Sequence, residues 1–562
     1  MENQFVDLYT TAGETLTGQP WAVYPRPQMR RDSFFCLNGD WKFSAADGTE
    51  ETIRVPFPPE SLLSGVHRRM GVRPILVYEK TFSLPEGFNR GRVLLHFGAV
   101  DQSASVSLNG VPIGKHRGGY EPFCFDITEQ LQAENHLKVI ATDALDSFVY
   151  PYGKQCENRG GMWYTPVTGI WQTVWLESVP ESYIHALRIG TGADFAEITA
   201  EGISEGDLTV KTPDGDMTFL LTDGRVRIEF SKPRLWSPED PYLYKFTLTA
   251  GDDTVESYFA LRTLTTETVD GIPRLCLNGK PYFFHGLLDQ GYWSDGLFLP
   301  AAPEGYAEDI LAMKKLGFNT LRKHIKIEPE QFYYDCDRLG MIVFQDMVNN
   351  GDYNFTRDTA LPTAGLRTLP DQFLHTDKKT RAVFAESMEK TVAQLWNHPC
   401  VCYWTIFNEG WGQFDSAKMY EKLKALDTTR FIDTASGWFM GAPSDVYSQH
   451  TYFKPVKMKP TEKPFMLSEF GGYSCKIDEH IFNLKKEYGY KHFDTPEAFM
   501  DGIETLYRSE IIPLVEKGLC GAILTQVSDV EDEVNGLVTY DRKVCKVDED
   551  RMRAIADALV IQ

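Results

Sequence analysis

From about residue 263 onward, short apolar strands alternate with helices, and no other feature of the chain constrains its fold as tightly. The strand candidates are PYFFHGLL (281–288), FNTLRKH (318–324), MIVFQD (341–346), VCYWTIFN (401–408), RFIDT (430–434), DVYSQHTY (445–452), PFMLSEF (464–470) and GAILTQVSD (521–529). Between them lie helical stretches such as PEGYAEDILAMKKL, EPEQFYYDCDRL and TRAVFAESMEKTVAQLWN. Eight such units in roughly 290 residues predict a (β/α)8 TIM barrel over 263–562. A doubly wound open sheet would carry a Gly-rich dinucleotide fingerprint after its first strand, and none is present.

The residues before the barrel read as β structure throughout. RVLLHFGAVDQSASVSLNGVPIGKH alternates apolar and polar positions around Asn109-Gly110, the two-residue hairpin signal. Short strands at regular spacing predict a jelly-roll β-sandwich over 1–179. Residues 180–262 repeat the pattern and predict a second, smaller β-sandwich. In it the prolines of LWSPEDPYLY (235–244) mark a corner between strands.

Bulk properties exclude several functions. The net charge is −22, and no basic stripe exists to meet nucleic acid or an anionic membrane surface. The ten cysteines show no CxxC pair or zinc spacing, so no metal is expected from them. The N-terminal stretch lacks a basic region followed by an apolar one, and no apolar run is long enough to span a bilayer. The expectation is a cytoplasmic protein with reduced thiols. Aromatics make up 13% of residues, which suits large cores and also the flat faces of sugars.

The chemistry is carried by two strand ends. YWTIFNEGWGQ (403–413) runs an apolar strand into Glu409, and FMLSEFGGYS (465–474) does the same with Glu469. Active groups of TIM barrels sit at the C-terminal ends of strands. A single glutamate there is more often a rim residue capping a loop amide. Two in one barrel form the paired carboxylates of glycoside hydrolysis, one holding a proton and one ionised.

These motifs, taken together, resemble glycoside hydrolase family 2, the β-galactosidases, β-glucuronidases and β-mannosidases. YPRPQMRRDSFFCLNGDWKF (24–43), VPFPPESLLSG (55–65) and MWYTPVTGIWQTVWLE (162–177) look like its N-terminal sugar-binding domain. LWSPEDPYLY and FALR (259–262) look like its immunoglobulin-like domain, and LCLNGKPYFFHG (275–286) like the opening of its barrel. WNHPCVCYWTIFNEGWG carries the Asn-Glu signature and LSEFGG the second glutamate.

The resemblance implies a retaining exo-β-glycosidase with Glu409 as acid/base and Glu469 as nucleophile. Asn408 is expected on the sugar 2-hydroxyl and Tyr452 on the nucleophile. His450 shares a strand face with Tyr452 and either enters the pocket or packs in the core. Arg322 is expected to be structural, and His324 is as much a sugar contact as a core residue. Asp346 either binds a sugar hydroxyl or caps a helix, and Asp289 ends the first strand as a further substrate-binding candidate.

Departures from the family pattern bear on substrate. Trp163 stands where galactosidases and glucuronidases send in an aspartate, which turns a hydroxyl acceptor into a stacking wall. Glu533 and Asn535 occupy the places of the glucuronidases' Asn-x-Lys, which disfavours a uronate. Gln526 replaces the usual tryptophan of the last strand, with Trp411 or Trp293 as substitute platforms. MVNNG (347–351) lacks the His-Gly that helps hold magnesium, so neither a metal nor another cofactor is expected. The chain ends soon after the eighth strand, as in a short member without the extra C-terminal sandwiches. A small β-galactoside is the first substrate expectation, ahead of β-glucosides, β-xylosides, α-L-arabinopyranosides and finally β-uronides; a non-catalytic carbohydrate-binding protein on the same fold is the alternative from another class. Self-assembly into a homo-oligomer is an expectation of the family alone.

Overall fold

The computed structural model describes residues 4–361, 366, 370–439, 443–452, 454–458 and 461–561. The N-terminal sandwich packs a four-stranded sheet against a six-stranded one, every pairing antiparallel. Between them lies a core that includes Trp41, Phe43, Tyr78, Leu95 and Val139. The Asn109-Gly110 turn joins Ser103–Leu108 to Val111–Arg117, with Leu108 facing Val111. Both turn residues have positive φ, 53° and 82°, which asparagine and glycine tolerate best.

The second unit departs from two separate sheets. Its seven strands, from Ala186–Thr191 to Asp253–Phe259, form one continuous antiparallel ladder. Ile189, Ile198, Leu208, Leu221, Ile228, Leu248 and Val255 come from all seven strands and bury in one cluster, so the ladder wraps around them. Trp236, at the proline-rich corner, is fully buried in the barrel's cluster, and its indole N–H donates to the Asp337 carbonyl at 2.8 Å. The corner therefore plugs this unit into the barrel.

The barrel strands are β1 (Phe284–Asp289), β2 (Thr320–Lys323), β3 (Ile342–Asp346), β4 (Val401–Asn408), β5 (Phe431–Ser436), β6 (Tyr447–Thr451), β7 (Phe465–Gly471) and β8 (Leu519–Thr525). They pair in parallel in the order β5-β4-β3-β2-β1-β8-β7-β6. Near-continuous apolar runs such as VCYWTIF are what strands buried on both faces require. The β5–β6 seam closes differently. The Asp445 N–H donates to the Ile432 carbonyl (2.9 Å), and the Ser448 hydroxyl donates to Asp433 (2.9 Å).

Helices cover most of the barrel, including Glu304–Lys315, Glu330–Leu339, Lys378–Leu395, Ser416–Leu426 and Pro496–Leu506. Eight regular strand–helix units are not all present. Among the described residues no helix separates β5 from β6 or β6 from β7. Those short connections carry Pro443, Pro455 and Pro464, which lack the N–H a helix interior needs.

Candidate active site

Arg322, on β2, lies at the centre of the barrel mouth and is 1% exposed. Its Nε donates to Asp346 at the end of β3 (2.9 Å), and Nη2 donates to Asn408 Oδ1 at the end of β4 (2.8 Å). Nη1 donates to Glu469 Oε1 (2.9 Å) and to the Ser468 carbonyl (3.0 Å) on β7. One guanidinium thus fixes groups from three other strands, a geometry that lysine's point charge does not reproduce. The Asn408 oxygen is committed to Arg322. Its amide NH2, without an acceptor among the described residues, remains available as a donor.

Glu469 is buried, yet ionised. Burial pushes its carboxyl up, but the charges of His450 and Arg322 and the Tyr452 hydroxyl outweigh it and hold the group at about 2. The Tyr452 hydroxyl donates to Glu469 Oε2 and lies 3.2 Å from Thr525 Oγ1, while its ring stacks on Tyr490 at 4.2 Å.

Glu409 follows β4 with φ of 52°, a left-handed conformation uncommon outside glycine, and Gly410 continues the turn at 78°. This sharp exit from the strand brings its Oε1 to 2.8 Å from His450 Nδ1. His450 Nε2 is in turn 3.0 Å from Ser436 Oγ and 3.6 Å from Glu469 Oε1. Ligand atoms of Glu409, His450 and Glu469 all lie within 4.8 Å of one another. That triad has the residue types of a metal site, but Arg322 and Tyr452 already occupy both Glu469 oxygens, so it reads as a hydrogen-bond network.

The sandwich supplies one wall. Its 152–165 loop is tied down on the barrel: the Tyr152 hydroxyl donates to the Gly351 carbonyl (2.9 Å), and Arg159 pairs with Glu531 and Asp532. Trp163 from this loop stacks on Trp411 at 5.3 Å and meets Tyr353 edge-on at 5.0 Å. Lys154, only 7% exposed, places its ammonium 5.3 Å from the Tyr164 ring and 6.0 Å from that of Trp411. No carboxylate among the described residues lies within ion-pair reach of it. Burial pushes the Glu533 carboxyl up, and Lys154, Tyr164 and Gln526 pull it back down.

Several expected roles change. Asp346 neither caps a helix nor keeps an oxygen free for sugar, since Arg322 takes Oδ1 and His324 Nδ1 lies 2.8 Å from Oδ2. Burial, with the charge of Lys154, lowers His324 to about 4, so its ring is neutral. Asp346 then holds the proton on Nδ1 and leaves Nε2 as an acceptor. Asp289 is engaged by Lys323 (2.6 Å) and by the Gly291 N–H (2.9 Å), because β2 brings a lysine beside it. Gln526 is fully buried: it accepts from Gln290 (2.7 Å) and donates to Asn535 (2.8 Å). Trp293 packs under Arg542 and beside Tyr306 rather than under Glu409 and Glu469.

Arg322 and Lys154 are the residues that sequence reasoning undervalued. The signal for the first was the Arg-x-His on one face of β2. Lys154 sits in an aromatic, glycine-containing loop with no motif to mark it.

Comparison with known proteins agrees with this architecture. Residues 73–156 match the glycosyl hydrolase 2 galactose-binding domain-like model, 192–262 the glycosyl hydrolases family 2 model, and 271–488 the glycosyl hydrolases family 2 TIM barrel domain. A β-galactosidase of Thermoanaerobacter pseudethanolicus is 24% identical over 78% of this chain and 59% of its own length, so the chain spans well under two thirds of that relative. A β-glucuronidase of Bacteroides fragilis is 23% identical over 91% of this chain and 79% of its own. The solved β-glucuronidase of an uncultured Clostridium species superposes with a TM-score of 0.74 at 18% identity, covering 94% of this chain and 98% of that one, and shows the same fold. With matching models on the sandwich, the linker unit and the barrel, the chain belongs to glycoside hydrolase family 2.

Proposed function

We propose that the protein is a retaining exo-β-glycosidase of small β-glycosides. The observation that carries this reading is the separation of Glu409 and Glu469, whose facing oxygens lie within 4.8 Å. Retaining enzymes hold their two carboxyls about 5–5.5 Å apart, whereas inverting ones leave room for a water at about 6.5–9.5 Å.

Glu469, kept ionised by Arg322 and Tyr452, attacks the anomeric carbon. Glu409 gives its proton to the glycosidic oxygen as that bond breaks. Asn408, its oxygen locked on Arg322, presents its amide hydrogens to the 2-hydroxyl, where a contact tightens in the oxocarbenium-like transition state. Water, activated by Glu409, then cleaves the glycosyl–Glu469 ester. The 152–165 loop and the Trp163–Trp411 stack close one side of the barrel mouth, which supports an exo mode.

A β-galactoside remains the first substrate expectation, with β-glucosides, β-xylosides and α-L-arabinopyranosides beside it. Lys154 and Glu533 place one charge of each sign near the catalytic pair, which suits a polar, uncharged glycone. A second reading, a β-uronide, is favoured by the ammonium of Lys154, which has no ion-pair partner, and by the names of relatives that are β-glucuronidases.

The test is a panel of nitrophenyl glycosides with wild type, Glu409→Gln, Glu469→Gln, Lys154→Met and Glu533→Gln. Loss of turnover in both catalytic variants supports the reading, and undiminished activity in either overturns it. Uronide turnover abolished by Lys154→Met and improved by Glu533→Gln would replace the neutral glycone with the uronate.

A further inference from the structure

The two residues that follow Glu409 are each covered by aromatic rings. Gly410 lies against Phe439, so closely that a Cβ on the glycine would come within 2.4 Å of the ring. Trp411 carries Trp163 on its face at 5.3 Å, and Tyr353 meets both edge-on, at 5.0 and 5.5 Å. Tyr353 follows β3 and Phe439 follows β5, and these are the two neighbours of β4 in the ladder. Rings therefore flank Glu409 on both sides. A third group comes from the connection after β7. Tyr490 stacks on Tyr452 at 4.2 Å, and a Cβ on Gly161, two residues before Trp163, would come within 3.6 Å of the Tyr488 ring. Burial raises the phenols of Tyr353, Tyr488 and Tyr490, and the nearby Glu409 carboxyl raises each further.

These rings offer faces rather than hydrogen bonds. Trp411 is only 2% exposed, whereas Trp163, Tyr353, Phe439, Tyr488 and Tyr490 are half-buried and keep surface open at the mouth. The Tyr353 hydroxyl lies 2.7 Å from Thr359 Oγ1, and the phenols of Tyr488 and Tyr490 bond to each other. The Glu469 side of the mouth is the reverse, with the Arg322 guanidinium, the Asn408 amide and the Tyr452 hydroxyl gathered around the carboxylate. A sugar needs directional partners for its hydroxyls, while a flat apolar group needs ring faces and edges.

The chemistry decides which part of a substrate meets which side. The departing oxygen takes its proton from Glu409, so the group attached to that oxygen lies beyond Glu409, among these rings.

We propose that Trp163, Tyr353, Phe439, Tyr488 and Tyr490 form an aglycone subsite for a flat aromatic group, so that the substrates of this site are phenol-linked β-glycosides rather than disaccharides or alkyl glycosides. The proposal rests on the reading of Glu409 as the general acid. It assigns the sandwich a part in aglycone choice, because Trp163 comes from its 152–165 loop.

The experiment uses the glycone that the nitrophenyl panel selects and varies the other half. Phenyl and 2-naphthyl β-glycosides are compared with the hexafluoroisopropyl β-glycoside, whose alcohol is of similar acidity to phenol, and with a β-linked disaccharide. With leaving-group acidity matched, a difference reports recognition of the ring. The expected kcat/KM is about 100-fold higher for 2-naphthyl than for hexafluoroisopropyl, with phenyl between them and the disaccharide lowest. Phe439→Ala and Tyr488→Leu should each lower the 2-naphthyl value about tenfold more than the hexafluoroisopropyl one. Free 2-naphthol should inhibit the wild type, a readout that needs no variant to fold. Equal values for phenyl and hexafluoroisopropyl, a preference for the disaccharide, or equal losses on both substrates in both variants would overturn the subsite. If no glycoside is cleaved, or Glu409→Gln cleaves them all as fast as wild type, the glycosidase reading falls and the subsite with it. Hydrolysis without an aryl preference removes the subsite alone.

Discussion

Two sets of buried carboxyls in this molecule behave in opposite ways. At the barrel mouth Glu469 is held at about 2, well below a free glutamate, although burial opposes it. In the sandwich, burial pushes Glu60 up to about 8 and Asp143 to about 6, and Asp101 beside Asp143 rises as well. The degree of burial is similar. The difference is the partner: Glu469 has Arg322 at 2.9 Å, whereas Glu60 has no cation beside it among the described residues and accepts from the hydroxyl and N–H of Thr168, at 2.6 and 3.2 Å. Glu177 shows that the domain is not the cause. It lies in the same sandwich, but Arg26 and Arg31 pair with it, and it is held far below the usual range despite burial. A neutral carboxyl suffices to hold a loop, but the proposed nucleophile must stay charged, and at Glu469 the neighbouring His450 and Arg322 outweigh burial.

The largest expected effect breaks the charged member of the comparison. Glu469→Gln leaves a neutral amide on Arg322, and turnover should fall on the order of 10⁴-fold or more in a steady-state assay. Arg322→Met attacks the cause instead. It strands Asp346 and Glu469 without their cation, so stability in urea should drop by about 3–5 kcal/mol. Glu469 should then titrate higher, moving the acidic limb of kcat/KM upward in pH. Tyr452→Phe removes one donor from Glu469 and should cost about 1–3 kcal/mol of transition-state stabilisation, seen in kcat.

Glu60→Gln sharpens the neutral member and has the smallest effect. Glu60 is raised in the folded state, so its contribution to stability is present below its unfolded value and is lost as pH rises toward about 8. The glutamine variant should match wild type near pH 5 and gain on it in thermal melts up to pH 8. A gap that closes with rising pH would place a hidden cation beside Glu60.

The sequence made the fold legible where a period repeats. Apolar runs such as VCYWTIF marked barrel strands, and Asn109-Gly110 marked a hairpin that the structure contains. It was less informative where elements are defined by what is missing, as in the helix-free connections flanking β6. At the site, Glu409 and Glu469 stood out because a carboxylate at the end of a buried strand is costly. Asp346, Asp289 and Gln526 were strand-end candidates as well, and the structure spends each on a partner from a neighbouring element. Nothing local distinguishes a strand-end acid that meets a cation from one that meets solvent. Lys154 was invisible for the converse reason, because its ammonium acquires meaning only when the sandwich loop is laid over Trp411.

The closeness of Glu409 and Glu469 is tested most directly by following the anomeric proton of the first-formed sugar by NMR during hydrolysis of a β-glycoside. Double displacement at Glu469 releases the β-anomer first, with the α-anomer appearing only by later mutarotation. If the α-anomer forms first, a water stands between carboxyl and sugar, and Glu469 is not the nucleophile.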